Sequence, residues 1–249
     1  MQLKNATILI VDDEPDLRDI LTEWFRREGS RVLVAEDGAE ALKFIEENQV
    51  DVVISDVRMP IMDGIALLRK VKASATYKAS VMFISGYTDI EPRDAYDLGV
   101  EAVIAKPVER KNLMAIVARV LAERAELWSV PPEGKADAIL DASFASVEVA
   151  MSQKQIAFGR GGFCVHSEAK LKEGPVDLLL EFRAEKRRVQ GRGVIRWVAA
   201  AEPDVGVEIT YIDADNRAWI LSLTGPNESH SFIPRAGGVA VHTGMEVRA

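Results

Sequence analysis

Through the first half of the chain, short apolar runs alternate with segments of helical period. ATILIV, VVIS, VMFI and AVIA have the length and β-branched content of strands buried on both faces, while the stretches between them repeat apolar residues every three or four positions. Read in order, the pattern predicts β (7–11), α (15–28), β (31–35), α (38–47), β (51–55), α (64–73), β (80–84), α (89–98), β (102–105) and α (109–125). Strict alternation of this kind implies a parallel sheet covered by helices on both faces. In the first helix Leu17, Ile20, Leu21, Trp24 and Phe25 form one stripe expected to be buried, opened by Pro15 and ended by Gly29. Leu113, Ile116, Val117, Val120 and Leu121 repeat the spacing in the last helix.

After about residue 141 the texture changes to alternation of apolar and polar residues in VEVAM, FCVHS, VDLLLEF, the run from Arg187 to Ala199, and VGVEITYI. Glycines punctuate these segments, and one helix is expected at 213–223, capped by Asp213, with Ala218, Ile220 and Leu221 facing inward. A small antiparallel barrel or sandwich closed by that helix is the prediction. Pro131, Pro132 and Gly134 break any helix between the halves, so 1–125 and 141–224 read as domains joined by a linker at 126–140, and glycine-rich 225–249 as a disordered tail. Trp128 either docks on a domain or sits partly exposed at a helix end.

Charge and composition narrow the classes. The net charge of −8 over 249 residues is spread over both halves, which argues against a general polyanion binder. Cys164 is the single cysteine, which suits a reducing compartment. Acidic residues interrupt the N-terminal apolar run at once, and no apolar stretch reaches membrane-spanning length, so a cytoplasmic protein without membrane insertion is expected. His166, His230 and His242 show no metal-ligand spacing with one another or with Cys164.

The candidate chemistry lies where strands end. Asp12 and Asp13 follow the first strand, Asp56 the third, Ser85 the fourth and Lys106 the fifth. In a parallel α/β sheet these ends share one edge, where ligands bind. Two carboxylates ~4 Å apart repel by roughly 4 kcal/mol at an effective dielectric of 20. A cation among them relieves that cost, and an all-oxygen donor set suits Mg²⁺. Pro107 restricts Lys106 to an extended backbone, and Met59, Pro60, Asp63 and Gly64 form a turn in which Gly64 is expected to adopt angles other residues resist.

ILIVDDEPDLR, the VVISDVRMPIMDG block, ISGY and AKP, in this order and spacing, resemble the receiver domains of two-component response regulators over about residues 5 to 125. The resemblance implies a (βα)5 doubly wound fold in which Asp56 accepts a phosphoryl group from a histidine kinase or phosphotransfer protein. It further implies that Asp12, Asp13, Asp56 and the backbone carbonyl of Arg58 position Mg²⁺, and that Ser85 and Lys106 contact the phosphoryl oxygens. Val103 stands where most receivers carry the aromatic residue that changes rotamer on activation. Tyr87 is either a lid over the site or a surface residue.

GRGGFCVHS, VDLLLEF, GRGVIRWV, VGVEITYI and the final helix resemble a PilZ domain, a barrel family many of whose members bind cyclic di-GMP. Aligning the last glycine of the family's ligand motif with Gly162 puts Ala157 in place of an acid or amide and Gly159 in place of a serine, and no paired arginines precede the barrel. Loss of three charge-assisted contacts at ~1.5 kcal/mol each weakens binding about a thousandfold or more. Cyclic di-GMP is therefore not expected to bind by the usual motif. Arg188, Arg192 and Arg196 share a strand face and, with Arg160, either form an anion site or a solvated outer face over a core of Val189, Ile195 and Trp197. The expected output is an unidentified downstream protein, with homodimerisation open. No DNA reader and no enzymatic cluster beyond the receiver site are seen.

Overall fold

A computed structural model describes residues 3–74, 76–86, 89–122, 126, 128–129, 131–200, 202–223 and 231–235. The chain divides into two compact units, Met1–Glu133 with His230–Phe232, and Gly134–Ser229 with Ile233–Ala249. No helix among the described residues is long and apolar enough to cross a membrane.

The first unit is a parallel five-stranded sheet of β1 (Thr7–Val11), β2 (Arg31–Ala35), β3 (Val52–Asp56), β4 (Ser80–Ser85) and β5 (Ala102–Ala105), ordered β2-β1-β3-β4-β5. Between them run α1 (Pro15–Arg27), α2 (Gly38–Glu47), α3 (Gly64–Ala73), α4 (Pro92–Asp97) and α5 (Arg110–Leu121). The alternation of side chains along each strand builds two cores. Ile8 and Ile10 of β1 pack with Leu21 and Phe25 of α1 and Leu113 and Val117 of α5, while Leu9 and Val11 pack with Ala41, Leu67, Leu68 and Ala95 on the other face. The strand order reverses between β1 and β3, which creates the crevice that receives ligands in such sheets.

Several local expectations change. Ile20 lies 47% exposed, so the buried stripe of α1 narrows to Leu21 and Phe25, with Leu17 and Trp24 at its margin. α4 begins at Pro92 rather than 89, because Asp89 serves as an acceptor in the preceding loop. Gly64 takes no positive φ; a Cβ there would lie 2.2 Å from the Asp56 carbonyl oxygen, so the glycine permits close approach, and Ile61 instead adopts φ 63°. Trp128 is buried. Tyr87, His230 and His242 lie outside the described residues.

The second unit contains β6 (Ala138–Phe144), α6 (Val147–Ser152), β7 (Ile156–Phe158), β8 (Gly162–His166), β9 (Gly174–Phe182), β10 (Arg187–Val198), β11 (Asp204–Ile212) and α7 (Ala214–Leu223). They form a six-stranded sheet ordered β6-β9-β10-β11-β8-β7. The expected antiparallel barrel or sandwich is corrected in one respect, since β6 pairs parallel with β9; among the described residues β6 and β7 are the edges of the hydrogen-bonded order. β6 also begins inside the expected linker.

VEVAM is helical, not a strand, because the Ser146 side chain accepts a hydrogen bond from Val149 N and caps α6. Asp213 caps α7 as expected, accepting from Asn216 N at 3.1 Å. Ile220 faces inward as expected, but Ala218 is exposed and Leu221 only half-buried, while Asn216 is buried. Trp219 meets Phe182 edge-on, and Phe182 stacks on Phe144. Val176, Leu178 and Leu180 of β9 alternate inward with Val189, Ile195 and Trp197 of β10. The expected disordered tail is corrected at Ser231 and Phe232: Phe232 N donates to Tyr96 O at 2.9 Å, the two rings stack, and Ser231 Oγ donates to Asp97 O at 2.7 Å.

Candidate functional site

Three carboxylates meet at the crevice. Asp12 and Asp13 follow β1, Asp56 ends β3, and one oxygen from each lies within 4.8 Å of the others. Asp12 and Asp56 are buried, and Asp13 is exposed, so the cluster opens to solvent on one side. Asp12 Oδ1 accepts from Glu14 N at 2.8 Å, and Asp56 Oδ1 from Val57 N at 2.7 Å, which fixes both carboxylates. The Arg18 guanidinium donates to the Asp12 carbonyl. This donor set is oxygen-only, anionic and partly open, which fits a small hard cation such as Mg²⁺.

Lys106 enters from the end of β5. Its Nζ donates to Glu14 Oε1 at 3.0 Å and lies 3.3 Å from both Asp12 Oδ2 and Asp56 Oδ2. Partial burial lowers the affinity of that amine for its proton, but the bond to Glu14 and the charges of Asp12 and Asp56 outweigh it and hold the pKa well above the ordinary lysine range. Asp12, by contrast, is pushed towards its uncharged form. Burial raises its pKa, with repulsion from Asp56 adding, and the Glu14 N–H and Lys106 offset this only in part. The Lys106–Pro107 peptide is cis.

Ser85 and Arg58 stand beside this cluster with their side chains directed to Asp89. Ser85 Oγ donates to Gly86 O at 2.8 Å and lies 3.2 Å from Asp89 Oδ2. Asp89 Oδ2 also accepts from Gly86 N at 2.7 Å, and Oδ1 from Arg58 Nε at 2.7 Å. Desolvation raises the Asp89 pKa, but these donors and the Arg58 charge outweigh it and leave the carboxyl below the usual range. Asp63 caps α3 through Ala66 N and ends the loop that carries Arg58.

Sequence reasoning singled out Asp12, Asp13, Asp56, Ser85 and Lys106, and the fold brings them to one sheet edge. It passed over Glu14 and Asp89. The turn-forming composition of GYTD signals a loop acceptor at Asp89 in principle, but its partner Arg58 is 31 residues away.

Three of the arginines singled out in the second unit each face a carboxylate. Arg188 lies 3.6 Å from Glu181, Arg192 bonds Asp177, and Arg196 Nε donates to Glu208 at 2.6 Å. The first two are cross-strand partners in the β9–β10 register. Val189, Ile195 and Trp197 fill the core beneath. Arg160, on the β7–β8 turn, is half-buried.

Residues 8–118 match the family model for the response regulator receiver domain. The response regulator GtcR of Aneurinibacillus migulanus is 34% identical over 132 residues, which cover 52% of each chain. Sporulation initiation phosphotransferase F of Bacillus subtilis is 30% identical over 120 residues, 48% of this chain and 96% of that protein. Among solved structures, the chemotaxis response regulator CheY4 of Vibrio cholerae is 30% identical over 47% of this chain and 98% of its own, with a TM-score of 0.43. The chain spans about half the length of the first curated relatives it matches, 52% of GtcR and 47% of the regulatory protein VanRc of Enterococcus gallinarum. Through its first unit, this chain belongs to the response regulator receiver family.

Proposed function

We propose that this protein is a phosphorylation-controlled regulator in which Asp56 accepts a phosphoryl group from a histidine kinase or phosphotransfer protein and thereby switches the second unit. The observation that carries the proposal is the meeting of Asp12, Asp13 and Asp56 within 4.8 Å, with the Lys106 ammonium 3.3 Å from Asp56. Mg²⁺ would be held by those three carboxylates with the Arg58 carbonyl, and when bound it supplies charge neutralisation at the phosphoryl oxygens.

The chain's own residues do the rest. Val57 N–H fixes the Asp56 carboxylate, and an Asp56 oxygen forms the new O–P bond as the donor's P–N bond breaks, the electron pair leaving on the imidazole. Lys106 stabilises the charge gathered on the transferred group, and Ser85 donates to its oxygens. Phosphorylation exchanges the single charge of the Asp56 carboxylate for the roughly −1.5 to −2 of a phosphoryl group, a net gain of about one negative charge or less, and it presents new acceptor oxygens to Lys106 and Ser85.

For the output we favour a PilZ-like module acting by contact with another protein. The sheet of the second unit, with its terminal helix, supports that likeness. The alternative, nucleotide capture by Arg160, Arg188, Arg192 and Arg196, gains nothing from the geometry, since Arg188, Arg192 and Arg196 each face a carboxylate. A role without catalytic output and a cytoplasmic setting belong to the same reading. Incubation with a small radiolabelled phosphodonor and Mg²⁺ tests the core of it: wild type is labelled and Asp56→Asn is not, and retained labelling in the variant refutes the assignment.

A further inference from the structure

Three donors on the rim of the site converge on one side chain. The Ser85 hydroxyl, the Gly86 amide and the Arg58 guanidinium all turn to Asp89, at 3.2, 2.7 and 2.7 Å. Asp89 thereby ties the loop after β4 to the loop after β3, immediately before α4 opens at Pro92. It is a carboxylate drawing on the Ser85 hydroxyl, a donor that an incoming tetrahedral anion at Asp56 would need.

We propose that Asp89 is a positioning residue that holds Ser85 away from Asp56 and must release it before the phosphorylated state forms. The proposal rests on the reading of Asp56 as phosphoacceptor. Ser85 has one hydroxyl proton, shared between Gly86 O at 2.8 Å and Asp89 at 3.2 Å, and Asp89 also fixes the Gly86 peptide through its N–H; while the proton is held there it cannot also be donated to a phosphoryl oxygen. Arg58 strengthens the restraint, because its Nε bond fixes the carboxylate. Asp89 therefore competes with the phosphoryl group for that hydroxyl and biases the receiver towards its unphosphorylated form.

The test is titration of the full-length protein with beryllofluoride in excess Mg²⁺, followed by the fluorine NMR signal of the bound anion. Asp89→Ala is expected to bind roughly tenfold more tightly than wild type, since one charge-assisted restraint is gone. Asp89→Asn, which retains an acceptor oxygen and the side-chain shape, gains less. In a Ser85→Ala background most of the gain disappears, because the donor under competition is absent. Unchanged or weaker binding in Asp89→Ala and Asp89→Asn overturns the proposal. So does a gain that survives undiminished without Ser85, which would be a general effect of removing negative charge. Undiminished uptake by Asp56→Asn overturns the acceptor reading and the proposal with it; an Asp89 result of the wrong sign, with Asp56→Asn silent, overturns the proposal alone.

Discussion

The Lys106 ammonium lies 3.3 Å from Asp56 Oδ2, bringing β5 to the end of β3 across 50 residues of sequence. Lys106 also meets Asp12 and Glu14, so it is the cation that offsets the acidic cluster. Removing it by Lys106→Ala leaves Asp12 and Asp56 buried together without that charge. Phosphorylation from a small donor is expected to fall at least tenfold, corresponding to the loss of roughly 1.5–3 kcal/mol from a bond to a charged group. Thermal stability without Mg²⁺ falls too, and added Mg²⁺ recovers part of it. Phosphorylation rates and melting curves check both effects.

Asp12 shows the cost of holding the site. Its raised pKa means that the fold favours the neutral acid, so the stability it contributes falls as pH rises from the ordinary aspartate range through the folded pKa. Asp12→Asn should therefore melt a few degrees above wild type at neutral pH without metal, and the difference should shrink as pH approaches 4. Mg²⁺, which stabilises wild type, should stabilise the variant much less. Melting curves across pH, with and without Mg²⁺, measure this.

In the second unit Arg196 bonds Glu208, whose side chain is 5% exposed. Arg196→Ala strips that carboxylate of a cation and should cost about 2–3 kcal/mol in denaturant unfolding. Wild type is expected to give no heat with micromolar cyclic di-GMP in a calorimetric titration. Saturable binding abolished by Arg188→Ala or Arg192→Ala would instead favour the nucleotide reading.

Phe232 donates its amide to Tyr96 O and stacks on the Tyr96 ring. Hydrogen exchange at that amide should be slow relative to free chain, and Phe232→Ala should accelerate it. Free-chain exchange at Phe232 in the intact protein would contradict the contact.

The first unit was legible because short continuous apolar runs alternate regularly with segments of helical period, and that order settles the element types together. The second was less so, for local reasons. Three residues of alternation in VEVAM cannot distinguish strand from helix, and a single cap at Ser146 decides it. The parallel pairing of Ala138–Phe144 with β9 joins segments separated by α6, β7 and β8, so no turn announces it. At the site, Asp12, Asp13, Asp56, Ser85 and Lys106 declared themselves by ending apolar runs. Glu14 and Asp89 did not, because their roles come from partners 92 and 31 residues away.

Borohydride trapping addresses the central claim most directly. The full-length protein, treated with a small phosphodonor and Mg²⁺, is reduced and mapped by peptide mass spectrometry. Acylphosphate chemistry at Asp56 predicts conversion of residue 56 alone to homoserine, dependent on the phosphodonor and lost when Mg²⁺ is chelated. Conversion at Asp12 or Asp13 instead, or no donor-dependent conversion anywhere, would contradict the account.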